Sequence, residues 1–190
     1  MPNPLIVLLK SFQNITAEDE AVISAAIETR TYKEGDYLFY ADNICREMYF
    51  ICSGVLRIMV SNEQGNQVTY FFLKENQFCT ILNSFNNNVP AHESISAACD
   101  TEVLVFTRTS LNKLYAQLPY IKQLIDQISH QALLDKIDLK NSYLGHDSTA
   151  RYKIFLSCQP EIALLVPLTD VASYLGITPQ SLSRIRKNIK

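Results

Sequence analysis

The chain has 190 residues, of which 47% are hydrophobic and 19% charged, and its formal net charge is −2. This composition is typical of a soluble globular protein. It contains no run of eighteen apolar residues, so no membrane-spanning helix is predicted. The apolar run Leu5–Leu9 is too short for a signal peptide and lacks its flanking residues, so we expect none.

The cysteines and histidines are scattered, which argues against a disulfide framework or a metal site. The five cysteines are odd in number and irregularly spaced, and no Cys-x-x-Cys occurs. Both kinds of site need tighter patterns. We therefore predict reduced thiols in a cytoplasmic protein, with no metal, no cofactor and no enzymatic activity. A small-molecule effector remains open.

The first region, residues 1–117, is predicted to be a roll of short strands after a helix that Thr16 caps. Short stretches rich in Val, Ile, Tyr and Phe alternate with turn residues such as Gly35, Gly54 and Gly65. Many short strands with regular turns favour a closed roll or jelly roll. The predicted strands are Tyr37–Tyr40, Met48–Cys52, Val55–Val60, Gln67–Leu73, Ile95–Ala98 and Glu102–Thr107.

The second region, residues 118–144, is predicted to be one long helix from about Pro119 to Ser142. Its apolar residues recur at the alternating three- and four-residue steps of a two-stranded coiled coil. This favours a homodimer through the 118–142 helix. The alternative is a single amphipathic helix on the roll, and Leu124, Leu133, Leu134 and Ile137 widen the apolar face enough for both contacts. The predicted seam is Leu118, Ile121, Ile125, Ile128, Ala132, Asp135 and Leu139, with Asp135 as a break.

The third region, residues 145–190, carries the basic charge of the chain. From residue 151 onward there are six basic residues and two acidic ones, whereas the remaining 150 residues hold eleven basic and seventeen acidic ones. A basic end on an acidic body suggests that one face meets a polyanion. Ala150–Ser157 is predicted to be a helix, and Pro160 and Pro167 bracket a short connection.

The segment from Leu168 to Lys187 has the layout of a helix-turn-helix. Thr169 is predicted to cap a first helix that buries Val171, Ala172 and Leu175. Gly176 ends that helix in the left-handed region, and Ile177 fills the turn. Thr178 caps the second helix, with Pro179 at its first position. Leu182, Ile185 and Ile189 would face inward.

The outward face of the second helix has side chains suited to duplex DNA. Arg184 can donate two hydrogen bonds to guanine, and Gln180 can pair with adenine. Ser181, Arg186, Lys187 and Lys190 suit phosphates. The candidate DNA-binding residues are Thr169, Thr178, Gln180, Ser181, Ser183, Arg184, Arg186 and Lys187. The alternative is an ordinary helical hairpin whose outer face is solvated.

The chain resembles the Crp/Fnr family of transcription regulators over nearly its full length. The resemblance is carried by Met48–Arg57, which matches the family's strand-Ser-Gly-strand passage, and by Asp170–Lys187, which matches its helix-turn-helix. It implies an α+β fold. The parts would be a cyclic-nucleotide-binding-like β-roll (1–117), a dimerisation helix (118–144) and a helix-turn-helix DNA-binding domain (145–190). The implied partners are double-stranded DNA and a second copy of the chain, with RNA polymerase as a further candidate.

The sequence departs from the family pattern at the effector site and in the recognition helix. In cyclic-nucleotide-binding members, the Glu of a Gly-Glu pair holds the ribose hydroxyl and an Arg holds the cyclic phosphate. Both are missing here, and Glu93 would repel a phosphate. We therefore expect no response to cyclic AMP. Thr80, Asn83, His92 and Ser94 are candidates to line a pocket for another ligand; the alternative is an empty or collapsed pocket. Gln180 replaces the family's Glu, which predicts a different base at that position of the half-site.

Two further expectations follow from the resemblance. Cysteines are missing from the first 44 residues, so no iron–sulfur cluster is expected. The sequence stops soon after the recognition helix, so the β-hairpin wing of many family members is not expected. Two other functions stay open: a ligand-binding roll that acts through protein contacts with a vestigial DNA-binding domain, and a cupin-like metalloenzyme, which the single roll histidine disfavours.

Overall fold

The computed structural model describes residues 3–189, which fold into a β-roll, a long helix and a helical C-terminal part. Two short helices, α1 (Pro4–Phe12) and α2 (Ala17–Ala25), precede the roll. The prediction that Thr16 caps a helix is confirmed, because its Oγ1 accepts a hydrogen bond from the Asp19 N–H at 3.1 Å. Helix α1 was not predicted. In the described part of the chain, no helix is both long and apolar enough to cross a membrane.

The predicted roll is confirmed, and it consists of two four-stranded antiparallel sheets. One sheet has the order β1-β8-β3-β6 and the other β2-β7-β4-β5. The bounds of each predicted strand agree with those of an observed strand to within two residues. Strands β1 and β6 were not predicted. The strands are β1 (Glu28–Tyr32), β2 (Tyr37–Phe39), β3 (Glu47–Ser53), β4 (Leu56–Ser61), β5 (Gln67–Leu73), β6 (Phe78–Cys79), β7 (Glu93–Ala97) and β8 (Thr101–Thr107).

Two apolar clusters hold the roll. The first fills the space between the sheets and includes Tyr49, Ile51, Leu56, Ile95 and Val103, all of which are buried. The second lies outside the first sheet, where α1, α4 (Arg108–Gln117) and α5 (Pro119–Asn141) cover it. A further short helix, α3 (Leu82–Asn87), connects β6 to β7. The long helix is therefore anchored to the roll.

Gly54, in the turn between β3 and β4, is required for two physical reasons. Its φ is +88°, and a Cβ atom there would lie 2.5 Å from both the Asp100 carbonyl oxygen and Thr101 Oγ1. Gly35 has the same φ but open space around it. We expect Gly35→Ala to cost about 1–2 kcal/mol for the backbone strain alone and Gly54→Ala roughly 1–3 kcal/mol more for overpacking. Urea unfolding of both variants measures the difference; equal losses would contradict the steric argument.

Helix α5 has two different faces. Ile121, Leu124 and Ile125 are buried against the roll, and Ile128 packs on the same cluster. These residues belong to the stripe that we predicted as the dimer seam or to the apolar residues beside it, so the predicted register of the seam is wrong. The stripe is a buried apolar face, but it packs against the roll instead of a second helix.

The opposite face of α5 is open to solvent. At 100° per residue, the exposed side chains fall within one stripe on the side away from the roll. Leu134 and Ile137 are 42% and 44% exposed, and Leu144, just beyond the helix, is 73% exposed. These residues step by three and seven, as a seam between two helices requires. The stripe, which we call the solvent seam, consists of Gln123, Gln127, His130, Leu134, Ile137, Asn141 and Leu144.

Four helices form the C-terminal part: α6 (Ser148–Cys158), α7 (Pro160–Leu165), α8 (Leu168–Leu175) and α9 (Pro179–Asn188). Asp147 caps α6 by accepting a hydrogen bond from the Ala150 N–H at 2.8 Å. The segment between Pro160 and Pro167, predicted as a connection, forms α7 instead, because Pro160 occupies the first helical position rather than interrupting a helix. Phe155, Ala172 and Leu182 are fully buried at the centre of this part.

Candidate nucleic-acid interface

The turn between α8 and α9 is closed by glycine and by backbone hydrogen bonds. Gly176 has a φ of +66°, and the Gly176 and Ile177 N–H groups donate to the carbonyls of Ser173 and Ala172 at 3.1 and 3.0 Å. Arg151, on α6, adds a hydrogen bond from Nη1 to the Leu175 carbonyl at 2.8 Å. Three of the last four carbonyls of α8 are therefore satisfied, which fixes the geometry of the turn.

Thr178 fixes the beginning of α9. Its Oγ1 accepts a hydrogen bond from the Ser181 N–H at 3.1 Å and donates one to Ser181 Oγ at 2.9 Å. Pro179 occupies the first helical position. The predicted cap is confirmed. Because Ser181 Oγ accepts in this arrangement, its own hydrogen remains available to a phosphate at the positive end of the helix.

Thr169 does not cap α8, contrary to the sequence prediction. The helix begins at Leu168, and its N-cap is Pro167, two residues before the predicted cap. Proline fixes the φ needed there without a capping side chain. Thr169 is exposed in the first turn of α8. That Thr169 contacts a DNA phosphate from this position remains a prediction.

Helix α9 buries one side and exposes the other. Leu182 is fully buried, and Ile185 and Ile189 pack beside it. On the other side, Gln180, Arg184 and Lys187 are exposed and Ser183 is half-buried. Steps of three and four residues place these four side chains on one face. Ser181 and Arg186, both exposed, flank that face. The sequence predicted this division correctly; Lys190 lies outside the described residues.

The cations of this face have no acidic partner within residues 3–189. The ion pairs in this part of the chain involve neither Arg184, Arg186 nor Lys187. Arg184 presents five N–H donors on a planar guanidinium group. The face formed by Gln180, Ser183, Arg184 and Lys187, which we call the reading face, is therefore free to bind an anionic partner that offers hydrogen-bond acceptors.

The helix-turn-helix is docked on the roll through α8. Asp170 forms an ion pair with Arg57 of β4, and both side chains are less than one-fifth exposed. Ser173 Oγ accepts a hydrogen bond from the Thr69 N–H of β5 at 2.9 Å. Burial raises the pKa of the Asp170 carboxyl, while the Arg57 charge opposes that rise. Sequence reasoning missed the Arg57–Asp170 pair because the two residues are 113 positions apart.

Aromatic rings extend this docking contact. The rings of Phe72, on β5, and Tyr174, on α8, have centroids 5.1 Å apart. The Lys140 ammonium of α5 lies 4.4 Å from the Tyr174 ring centroid, in the range of a cation–π interaction. The roll, the long helix α5 and the helix-turn-helix are therefore in contact around Tyr174.

We expect Asp170→Ala to destabilise the fold by about 2 kcal/mol. The pair is neither fully exposed, where such pairs contribute about 0–1 kcal/mol, nor fully buried, where removal of one partner costs about 3–5 kcal/mol. A double-mutant cycle with Arg57→Met in urea unfolding isolates the pairwise energy. Additive losses would mean that the pair does not hold α8 on the roll.

A cavity of about 180 Å³ lies between the roll and α5. Of the four predicted ligand residues, Thr80 lines it, but the others do not. Asn83 and His92 are exposed, and buried Ser94 accepts a hydrogen bond from the Ala41 N–H at 2.9 Å. Twelve other residues line the cavity and were not predicted to bind a ligand, among them Glu93, Ser129, Leu133 and Lys136. Three of these lie on α5, which the local pattern of the roll could not reveal.

The described part of the chain contains no group of three or more His, Cys, Asp or Glu side chains that could hold a metal ion. Among these residues the five cysteines are unpaired, four of them at least partly buried and Cys158 exposed.

Residues 29–118 match the family of cyclic nucleotide-binding domains. No curated protein matches the chain. Among solved structures, the c-di-GMP-responsive global regulator CLP of Xanthomonas campestris is similar, with a TM-score of 0.70, 16% identity, and coverage of 92% of this chain and 91% of that one. FixK2 from Bradyrhizobium japonicum has a TM-score of 0.71, 18% identity, and coverage of 86% and 84%.

A protein from Eubacterium rectale assigned to the Crp/Fnr family of transcriptional regulators is also similar. Its TM-score is 0.68 at 17% identity, and the match covers 95% of this chain and 85% of that one. At these identities, the similarity shows a common fold that includes both the roll and the C-terminal helices.

Proposed function

We propose that this protein, which carries a cyclic nucleotide-binding domain and has the fold of the Crp/Fnr regulators, is a transcription regulator that binds duplex DNA as a homodimer. The observation that carries the proposal is the reading face. Arg184 and Gln180 are exposed and lie side by side on α9. Thr178 caps the beginning of this helix, Gly176 closes the turn before it, and Leu182 is buried on its other side. A merely solvated hairpin would need neither side chain at these positions.

The chemistry of the reading face suits the major groove. Arg184 reaches guanine O6 and N7 with two donors, and Gln180 pairs with adenine N6 and N7. Arg186, Lys187 and the first turn of α9 contact phosphates, which fix the register without reading the sequence. In a helix-turn-helix, the second helix enters the groove by its N-terminal residues, and these are the residues that Thr178 orders.

A second copy of the chain is required for the usual geometry of such proteins, with two heads about one helical turn of DNA apart. The solvent seam of α5 supports this dimer. Leu134 and Ile137 provide its apolar contact, and Asn141 is a polar residue of the kind that sets register in paired helices. RNA polymerase stays a predicted partner.

The salt dependence of DNA binding tests this function. Phosphate contacts release counterions, so six to ten of them lower affinity roughly a thousandfold or more between about 50 and 200 mM salt. We expect such a slope in fluorescence anisotropy with a labelled mixed-sequence duplex. The competing function is a ligand-binding roll that acts through protein contacts. If micromolar protein showed no salt-sensitive binding to the duplex, this competing function would be favoured.

Gln180→Glu is expected to change the preferred half-site at one base pair. The Gln amide both donates to and accepts from adenine, whereas a carboxylate only accepts and suits cytosine N4. The guanine opposite Arg184 should stay the same. Selection from random duplexes with both proteins checks this. Identical base preferences would mean that Gln180 does not read a base.

We expect cyclic AMP not to be the effector, although the domain family is named for cyclic nucleotides. The roll cavity of about 180 Å³ is smaller than the roughly 300–1,000 Å³ of most small-molecule sites. Its lining contains Glu93 and no arginine, so it lacks the bidentate donor that phosphates favour.

A further inference from the structure

The cavity between the roll and α5 is mostly apolar but contains one cation. Aromatic side chains, among them Phe71 and Phe78, form one side of it. Lys136 of α5 lies on the other side and is half-buried. No described carboxylate forms an ion pair with Lys136. Its neighbour Asp135 is exposed and accepts a hydrogen bond from Gln131 instead.

Two features show that this polar corner is not satisfied by the protein. The hydroxyl of Ser129, one helical turn from Leu133 and two from Lys136, is buried without a hydrogen-bond partner among the described residues. Burial also lowers the pKa of the Lys136 ammonium. Unpaired buried polar groups and charges are costly. An anion bound between the two side chains would satisfy both groups.

We propose that this cavity binds a small monocarboxylic acid, with its carboxylate at Lys136 and Ser129 and its apolar body between Phe71 and Phe78. The volume sets the size, because an apolar cavity of about 150 Å³ holds benzene. A body of one ring, or an alkyl chain of similar volume, therefore fits. The single Lys136 cation compensates one negative charge, and Glu93 in the same lining opposes a second one.

The position of the cavity links this ligand to the DNA-binding part. Phe71 precedes Phe72, whose ring packs on Tyr174 of α8, and Lys136 lies one turn before Lys140, which contacts the same Tyr174 ring. An acid that orders Phe71 and Lys136 therefore acts on two residues adjacent to the docking contact. A ligand that binds one docking arrangement better than another shifts the equilibrium between them.

Isothermal titration of the full chain tests the site with benzoate and hexanoate, and with benzyl alcohol and hexan-1-ol as neutral analogues. We expect the acids to bind more tightly than the alcohols and more tightly than cyclic AMP. Lys136→Met should weaken acid binding about tenfold to a hundredfold, the size of a lost charge-assisted hydrogen bond, and leave alcohol binding unchanged. Lys122→Met, at an exposed position on the same helix, should change neither.

Equal binding of acids and alcohols, no binding of either acid, or an unaltered Lys136→Met variant would overturn the proposal. Alcohol binding by Lys136→Met shows that the cavity has remained folded, and Ser129→Ala, which should lose less acid affinity than Lys136→Met, gives an independent reading. The titrations contain no DNA. Failure of the acid site is thus distinguishable from failure of the proposed regulator function, which the salt titration tests.

Discussion

Replacement of both Leu134 and Ile137 by glutamate is expected to convert the protein into a monomer that no longer forms a stable complex with its DNA. Both side chains lie in the solvent seam and are more than 40% exposed, so the change should cost the single chain little. In a dimer, however, four carboxylates would face one another across two helices. Like charges in that position disfavour the paired state.

The size of this effect follows from the apolar area that the dimer buries. Full burial of a Leu or Ile contributes about 1.5–3 kcal/mol, and these side chains are roughly half-covered already, so four of them contribute about 3–6 kcal/mol in total. Loss of that energy alone weakens dimerisation more than a hundredfold. A monomer also has one head for a two-half-site duplex, so it loses the advantage of the second, intramolecular contact.

Sedimentation equilibrium measures the dimer, and anisotropy with a selected duplex measures DNA binding. Val7→Glu with Phe12→Glu is the matched control, because both side chains are exposed and apolar but lie on α1. The control should remain dimeric. A dimeric L134E/I137E protein would place the interface elsewhere, and a monomer with full DNA affinity would remove the need for two heads.

Arg184→Ala is expected to lower affinity for the selected duplex by roughly thirtyfold to ten-thousandfold. One bidentate contact to guanine discriminates by about 1–3 kcal/mol, and a symmetric dimer loses it twice, giving about 2–6 kcal/mol. Since Arg184 is exposed and forms no ion pair among the described residues, its removal should leave the fold intact. Specificity at the contacted base pair should relax as well.

Lys187→Ala serves as the comparison for Arg184→Ala. A phosphate contact is lost equally on every sequence, so affinity should fall uniformly and the salt slope should decrease by about one for each head. Anisotropy with the selected duplex and a scrambled one separates the two patterns. If Arg184→Ala weakened both duplexes equally, Arg184 would be a phosphate contact rather than a reader of bases.

The local chemistry of the C-terminal part could be predicted from sequence. Gly176 tolerates the left-handed conformation, Thr178 has a capping oxygen and Pro179 has a fixed φ, and they stand at the required offsets. The roll strands followed from their Val, Ile, Tyr and Phe content, except β6, which has only two residues, and β1, which is the mixed stretch Glu28–Tyr32. Its pairing with β8 holds it in place, and no local pattern indicates that pairing.

The sequence did not reveal which segments of the chain pack against each other. The apolar stripe of α5 was recognised, but periodicity does not say whether a roll or a second helix packs on it. The Arg57–Asp170 pair and the cavity at Lys136 likewise depend on contacts between distant segments. The four predicted pocket residues were chosen from the roll alone, and only Thr80 reaches the cavity.

Selection of bound sequences from random duplex DNA by this protein tests the central claim most directly. The predicted result is an inverted repeat whose half-sites, about 10–11 base pairs apart from centre to centre, each contain a guanine that becomes dispensable in the Arg184→Ala protein. A pool with no enriched sequence, or a single enriched site that Arg184→Ala binds equally well, would contradict it.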